Sequence, residues 1–127
     1  MKNNRDAFRS LACCALMAAA SLTVTGTAGA QKLPPLWGYG VKTCDAYLAA
    51  ADGNEKGDQL QVWEYRRYED WLTGFVSGLN LATGKDVLVG ADVDSAMRRI
   101  RAWCGGHKQE DFFNGTMDLV RMLSGLR

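Results

Sequence analysis

Residues Gln59–Thr83 read QLQVWEYRRYEDWLTGFVSGLNLAT. Tyr68, Trp71, Leu72, Phe75, Leu79 and Ala82 recur at intervals of three and four, the spacing that gathers side chains on one side of an α-helix. Glu64, Arg66, Arg67, Glu69 and Asp70 read as the solvated side near its start. Asp58 supplies an N-cap oxygen with Gln61 three residues on, and Gly84 supplies a C-terminal cap. One long helix is expected from about Gln59 to Thr83. Gly74, Ser77 and Gly78 interrupt its pattern, because they form helix poorly and each glycine costs about 1 kcal/mol against alanine. Two compensations are open: close approach of a neighbouring helix, or a groove that admits a ligand or a partner's side chain. Gly74, Ser77, Gly78 and Asn80 are therefore candidate close-packing or groove residues.

Upstream, Thr43 caps a short helix in which Cys44, Tyr47, Leu48 and Ala51 share a face, and Asp52-Gly53 is expected to end it. Downstream, Lys85 to Gly90 forms a short apolar connection, and Asp92 caps a third helix. Val93, Met97, Ile100 and Cys104 share a face there, with Ala96 and Trp103 beside them, while Arg98, Arg99 and Arg101 lie largely elsewhere. Gly105-Gly106 stops that helix. A last helix is expected from about Gln109, burying Phe112, Phe113, Met117, Val120 and Leu123. No segment needs a strand. Residues 31–42, with Pro34-Pro35, Gly38 and Gly40, lack periodicity and read as an extended arm carrying Trp37 and Tyr39.

The chain begins differently. Lys2, Arg5 and Arg9 precede an apolar run from Leu11 to Val24, and Ala28-Gly29-Ala30 offers small residues to a signal peptidase. Residues 1–30 are read as a secretory signal peptide cut before Gln31. The run of about fourteen residues is too short for a settled membrane span, so no stable insertion is expected after cleavage. Cys13 and Cys14 leave with the signal. Removing Lys2, Arg5 and Arg9 from the 15 bases leaves twelve, and removing Asp6 from the 14 acids leaves thirteen. That near-balance excludes the basic excess of a nucleic-acid binder. Cys44 and Cys104 remain, and in an oxidising compartment such a pair is read first as a disulfide. The expected architecture is all-α: a small four-helix domain over residues 43–127, stapled by one disulfide and preceded by the arm.

Motifs that would name a reaction fail on spacing. Asp52, Asn54 and Gly57 suit the first, third and sixth positions of a calcium loop, but Lys56 stands fifth and Trp63 stands where a bidentate Glu belongs. Gly78 to Lys85 is one residue too long for a phosphate loop, and Asp86 replaces its Ser or Thr. Cys104 with His107, the single histidine, lacks an orienting third group, and a helix C-terminus disfavours a thiolate. Asn114-Gly115-Thr116 matches a glycosylation acceptor but lies inside a helix. Glu69-Asp70 and Asp92-x-Asp94 read as a helix face and a cap. No catalytic residue, metal or cofactor is expected, and the protein is read as a non-enzyme.

The cysteine in a short first helix, the helix Trp71-Leu72-x-Gly74-x-x-Ser77-Gly78-x-Asn80, and the ending Ile100-x-x-Trp103-Cys104 resemble small exported bacterial proteins. These include uncharacterised families with a similar Gly-x-x-Ser-Gly-x-Asn helix. The layout of residues 43–124 is also similar, more remotely, to the HdeA/HdeB acid-stress chaperones and to immunity proteins against type VI secretion amidase effectors. The resemblance implies a disulfide-linked periplasmic or secreted domain that works by binding. The first functional expectation is an immunity-like binding or inhibitor module acting through a helical surface on a protein partner. Trp37, Trp63 and Tyr65 are its candidate partner-binding residues, since exposed aromatics often anchor interfaces. The alternative is an acid-stress chaperone for unfolded clients.

Overall fold

The computed structural model describes residues 34–125. The signal peptide expected over residues 1–30, its cut before Gln31 and the beginning of the arm lie outside the described residues. Four α-helices follow one another: α1 (Cys44–Glu55), α2 (Gln59–Thr83), α3 (Val93–Gly106) and α4 (Phe112–Ser124). The only strand-like feature among the described residues is one isolated bridge, Thr43 to Asp111. The all-α, four-helix class is the observed one.

Each helix starts where a side-chain oxygen meets an otherwise unpaired amide. Thr43 accepts from the Ala46 N–H, Asp58 from Leu60 and Gln61, Asp92 from Ser95, and Asp111 from Asn114. Two boundaries differ from expectation. α1 runs through Asp52-Gly53 to Glu55, and the reversal falls at Gly57, whose φ of 76° suits a glycine. α4 begins at Phe112, because Asp111 is held extended as the cap and the Phe112 N–H is donated to the Lys42 carbonyl at 2.9 Å. Glu110 and Lys108 accept from the first amides of α1, Cys44 and Asp45, at 2.7 and 3.0 Å. The loop before α4 thus completes the start of α1.

Tyr47, Tyr68 and Phe112 form the centre, with ring centroids 4.7 to 5.0 Å apart in tilted and edge arrangements. Leu72, Met97, Ile100 and Val120 are buried around them. The Tyr47 hydroxyl, inside this apolar centre, donates to the Met97 carbonyl at 2.8 Å, so its polar atom is satisfied. Cys44 at the head of α1 is bonded to Cys104 at the end of α3, their Cα atoms 5.1 Å apart. Closing a loop of this length contributes about 4 kcal/mol in the chain-entropy account.

The arm is less extended than its composition suggests. Gly38–Val41 forms a short 3-10 turn, and the arm is held against α2. Tyr39 packs edge-on to Tyr68 at 4.9 Å, and its hydroxyl donates to the Glu64 carboxylate at 3.1 Å. Gly40 is buried under the Trp71 indole, where an added Cβ would fall 2.1 Å from a ring carbon.

Candidate interaction surface

α2 turns one side inward and, among the described residues, leaves the other uncovered. Tyr68, Leu72 and Val76 are buried, with Trp71, Phe75 and Leu79 packed partly against them. On the outer side Leu60, Trp63, Arg67, Asp70, Gly74 and Ser77 alternate steps of three and four, and Leu81 continues the series. All seven are exposed, Leu60 at 75%, Trp63 at 65% and Leu81 at 87%. Shallow depressions flank the Trp63 ring, one bounded by Arg66, Arg67, Glu69 and Asp70, the other by Gly57, Gln59 and Val62. This second periodic stripe is legible in the sequence as a heptad-like recurrence, but it is masked there by the stronger apolar one.

The expected partner-binding residues separate. Trp37 is 78% exposed, and its carbonyl accepts the Trp71 indole N–H at 2.9 Å, which fixes where it leaves the arm. Trp71 lies about 12 Å along the α2 axis from Trp63. Tyr65 is elsewhere: partly buried, packed against the core and stacked on Tyr47 with centroids 6.1 Å apart. Desolvation pushes its phenol upward. Tyr65 is therefore a joint between α1 and α2, not a member of the outer surface with Trp63.

The glycines of the pattern are not packed against a neighbour within the described residues. An added Cβ at Gly74 or Gly78 would meet nothing within 4 Å, so no neighbouring helix among the described residues approaches there. Asn80 acts locally, its side-chain oxygen accepting the Val87 N–H at 2.9 Å and so fixing the connection to α3. The close approaches that need glycine are at Gly40, at Gly53 against Gln61, and at Gly115 against Trp103 and Ile100.

Charges at the helix joints are engaged. Arg101 pairs with Asp52 and Glu55, tying α3 to α1, and the hydrogen bond from Arg101 holds the Glu55 carboxyl below its usual range. Desolvation raises Glu64, but hydrogen bonds from Tyr39 and Lys42 outweigh it and leave that carboxyl lowered. Glu69 moves the other way, raised by desolvation and then by the neighbouring Asp94 carboxylate on α3. Arg67 and Asp70 take part in no ion pair among the described residues.

Cys104 is consumed by the disulfide, which removes the Cys-His nucleophile reading. His107 stacks on Trp103 at 4.0 Å, with Nδ1 2.7 Å from the Trp103 carbonyl oxygen. Thr116 is fully buried and donates to the Phe112 carbonyl, so the Asn114 acceptor sequence is not presented as an open strand. Among the described residues no cluster of three His, Cys, Asp or Glu could hold a metal, and no helix is long and apolar enough to cross a membrane. A small apolar groove lies between the arm, α2 and α4, lined by Pro34, Leu36, Phe75, Leu79, Phe113 and Met117.

The chain matches no protein family, no curated protein and no solved structure with which it was compared. Fold and surface together define a small all-α domain, stapled once, whose longest helix has an uncovered outer face.

Proposed function

We propose that the protein is an exported, non-enzymatic binding or inhibitor module that acts on a protein partner through a helical surface, without a cofactor. Trp63 carries this reading. It stands on the outer face of α2, exposed beside the exposed Leu60 and flanked by a depression with a charged rim. Large apolar side chains held on a rigid helix lose little conformational entropy on contact, and buried tryptophans dominate many interfaces. Trp37, exposed midway along the arm with its carbonyl held by the Trp71 indole, is a second anchor.

The test is capture of a partner from an extract of the source cell by cross-linking, followed by its identification. Trp63→Ala is expected to weaken capture by about 2 kcal/mol, close to thirtyfold, and Trp37→Ala to add to that loss. Helical circular dichroism should not change. Capture unaltered by both substitutions would remove the chemical basis of the proposal.

The acid-stress chaperone remains as a second reading because acid attacks two of the joints. Glu64 holds the arm on α2 and Glu55 helps to hold α3 on α1, and both are carboxylates lowered by their partners. Protonation removes the ionic part that these two carboxylates give to each attachment. Its test is protection of an aggregating client near about pH 2 to 3, below ordinary carboxylate values. A client that aggregates equally with and without the protein sinks this reading.

A further inference from the structure

The outer face of α2 is complementary to itself when reversed. In an antiparallel helix pair with heptad-like contacts, residues in alternating steps of three and four meet in layers across a two-fold axis. With the axis level between Arg67 and Asp70, the stripe gives three pairs, each made twice. Leu60 lies opposite the second copy's Ser77, Trp63 opposite its Gly74, and Arg67 opposite its Asp70.

Large side chains thus face small ones, and the central charges face their opposites. Sliding the pair by one heptad in either direction loses the Arg67–Asp70 match. A parallel, in-register pair sets Arg67 on Arg67 and Trp63 on Trp63. The two glycines supply a separate reason. Gly40, Gly53 and Gly115 have a neighbour in close contact, whereas Gly74 and Gly78, like Gly105 and Gly106 at the end of α3, have open space where a methyl group would be; of these four only Gly74 and Gly78 lie in a helix interior. The conformational cost of Gly74, unreturned within the described residues, is recovered if a second helix approaches there with its Trp63 indole over that glycine. Arg67, whose guanidinium lies 5.9 Å from the centroid of the Tyr39 ring, and Asp70 are in no ion pair among the described residues and gain one each.

From this geometry we infer that the outer face of α2 takes a second copy of the same chain, as an antiparallel two-fold dimer with Trp63 packed on the other copy's Gly74. The inference rests on the reading of that face as a binding surface and names its resident occupant.

Charge exchange tests it. The protein expressed from its full chain and purified without reductant is measured by sedimentation velocity over a hundredfold concentration range. The wild type should pass from monomer to dimer. Arg67→Asp and Asp70→Arg, each placing like charges together at two symmetric points, should each weaken the dimer about tenfold or more. The double variant should restore it to within about threefold of wild type. Gly74→Leu provides a second probe: it adds bulk where Trp63 of the other copy sits, and should abolish the dimer while the monomer stays helical.

A wild type that stays monomeric throughout overturns the inference, as does a dimer indifferent to these substitutions or a double variant as weak as the singles. These failures are distinct from failure of the binding module, which depends on the loss of partner capture by Trp63→Ala. A monomeric protein that still loses capture on that substitution keeps its binding surface and has a different occupant.

Discussion

A methyl group added at Gly53 would lie 2.3 Å from the Cβ of Gln61, while one added at Gly74 would touch nothing within 4 Å. Both glycines are inside helices, so both carry the same backbone cost of about 1 kcal/mol against alanine, and only the surroundings separate them. Gly53→Ala forces the first turn of α2 away from α1 and is expected to destabilise the domain by about 1 to 3 kcal/mol. Gly74→Ala has no such obstacle. It is expected to raise the stability of the monomer by about 0.5 to 1 kcal/mol. Urea unfolding at a dilution that keeps the chains apart checks both signs. A destabilising Gly74→Ala under those conditions would mean that Gly74 is in close contact within its own chain.

The arm and α2 meet through one carboxylate. Glu64 accepts from the Tyr39 hydroxyl and pairs with Lys42 at 3.3 Å, while Gly40 lets the arm lie flat beneath Trp71. The pair is substantially exposed, so its electrostatic share is small and screened by salt. The arm's attachment rests on apolar contact, with Glu64 as its pH-dependent part. Because the folded value of Glu64 is lowered, its contribution is fully present above the ordinary glutamate range near 4.3 and is lost as pH falls through the folded value. Glu64→Gln is expected to speed amide exchange in residues 38–42 at neutral pH and to flatten its acid dependence there. Unchanged exchange would leave the Tyr39–Tyr68 contact and the Trp71 cover as the whole of the attachment.

For the molecule as a whole, acid has opposing effects. Protonating Glu55 and Glu64 weakens the α1–α3 and arm–α2 joints, whereas protonating the raised Glu69 relieves its repulsion with Asp94 between α2 and α3. Stability from the first two falls with pH, and stability from the third rises as Glu69 gains its proton. The disulfide keeps the head of α1 beside the end of α3 throughout. Acid is therefore expected to loosen the arm and the α1–α3 contact before the aromatic centre opens. In the client-aggregation assay, protection should appear with exposure of the Phe75–Leu79 side of α2, read by dye binding. Dye binding that rises only on global unfolding counts against a chaperone that opens on a hinge.

Local chemistry made most of the architecture legible. A cap oxygen lies within three residues of the amide it accepts, and an apolar stripe repeats within two turns, so Thr43, Asp58, Asp92 and Gly84 and the inward face of α2 could be read directly. Contacts distant in the chain could not. Arg101 reaching back to Asp52 and Glu55 accompanies the continuation of α1 beyond Gly53, the carbonyls of Lys108 and Glu110 serve the first amides of α1, and the Phe112 N–H at the start of α4 is donated to Lys42. Tyr65 turns inward because Tyr47 is there to stack on it. The sequence by itself determined which segments are helical and which side of each is apolar, because both follow from neighbours one to four residues away. Only the tertiary structure decided which glycines lie under another element and which face of α2 is left open, because that depends on which helices come to lie beside it.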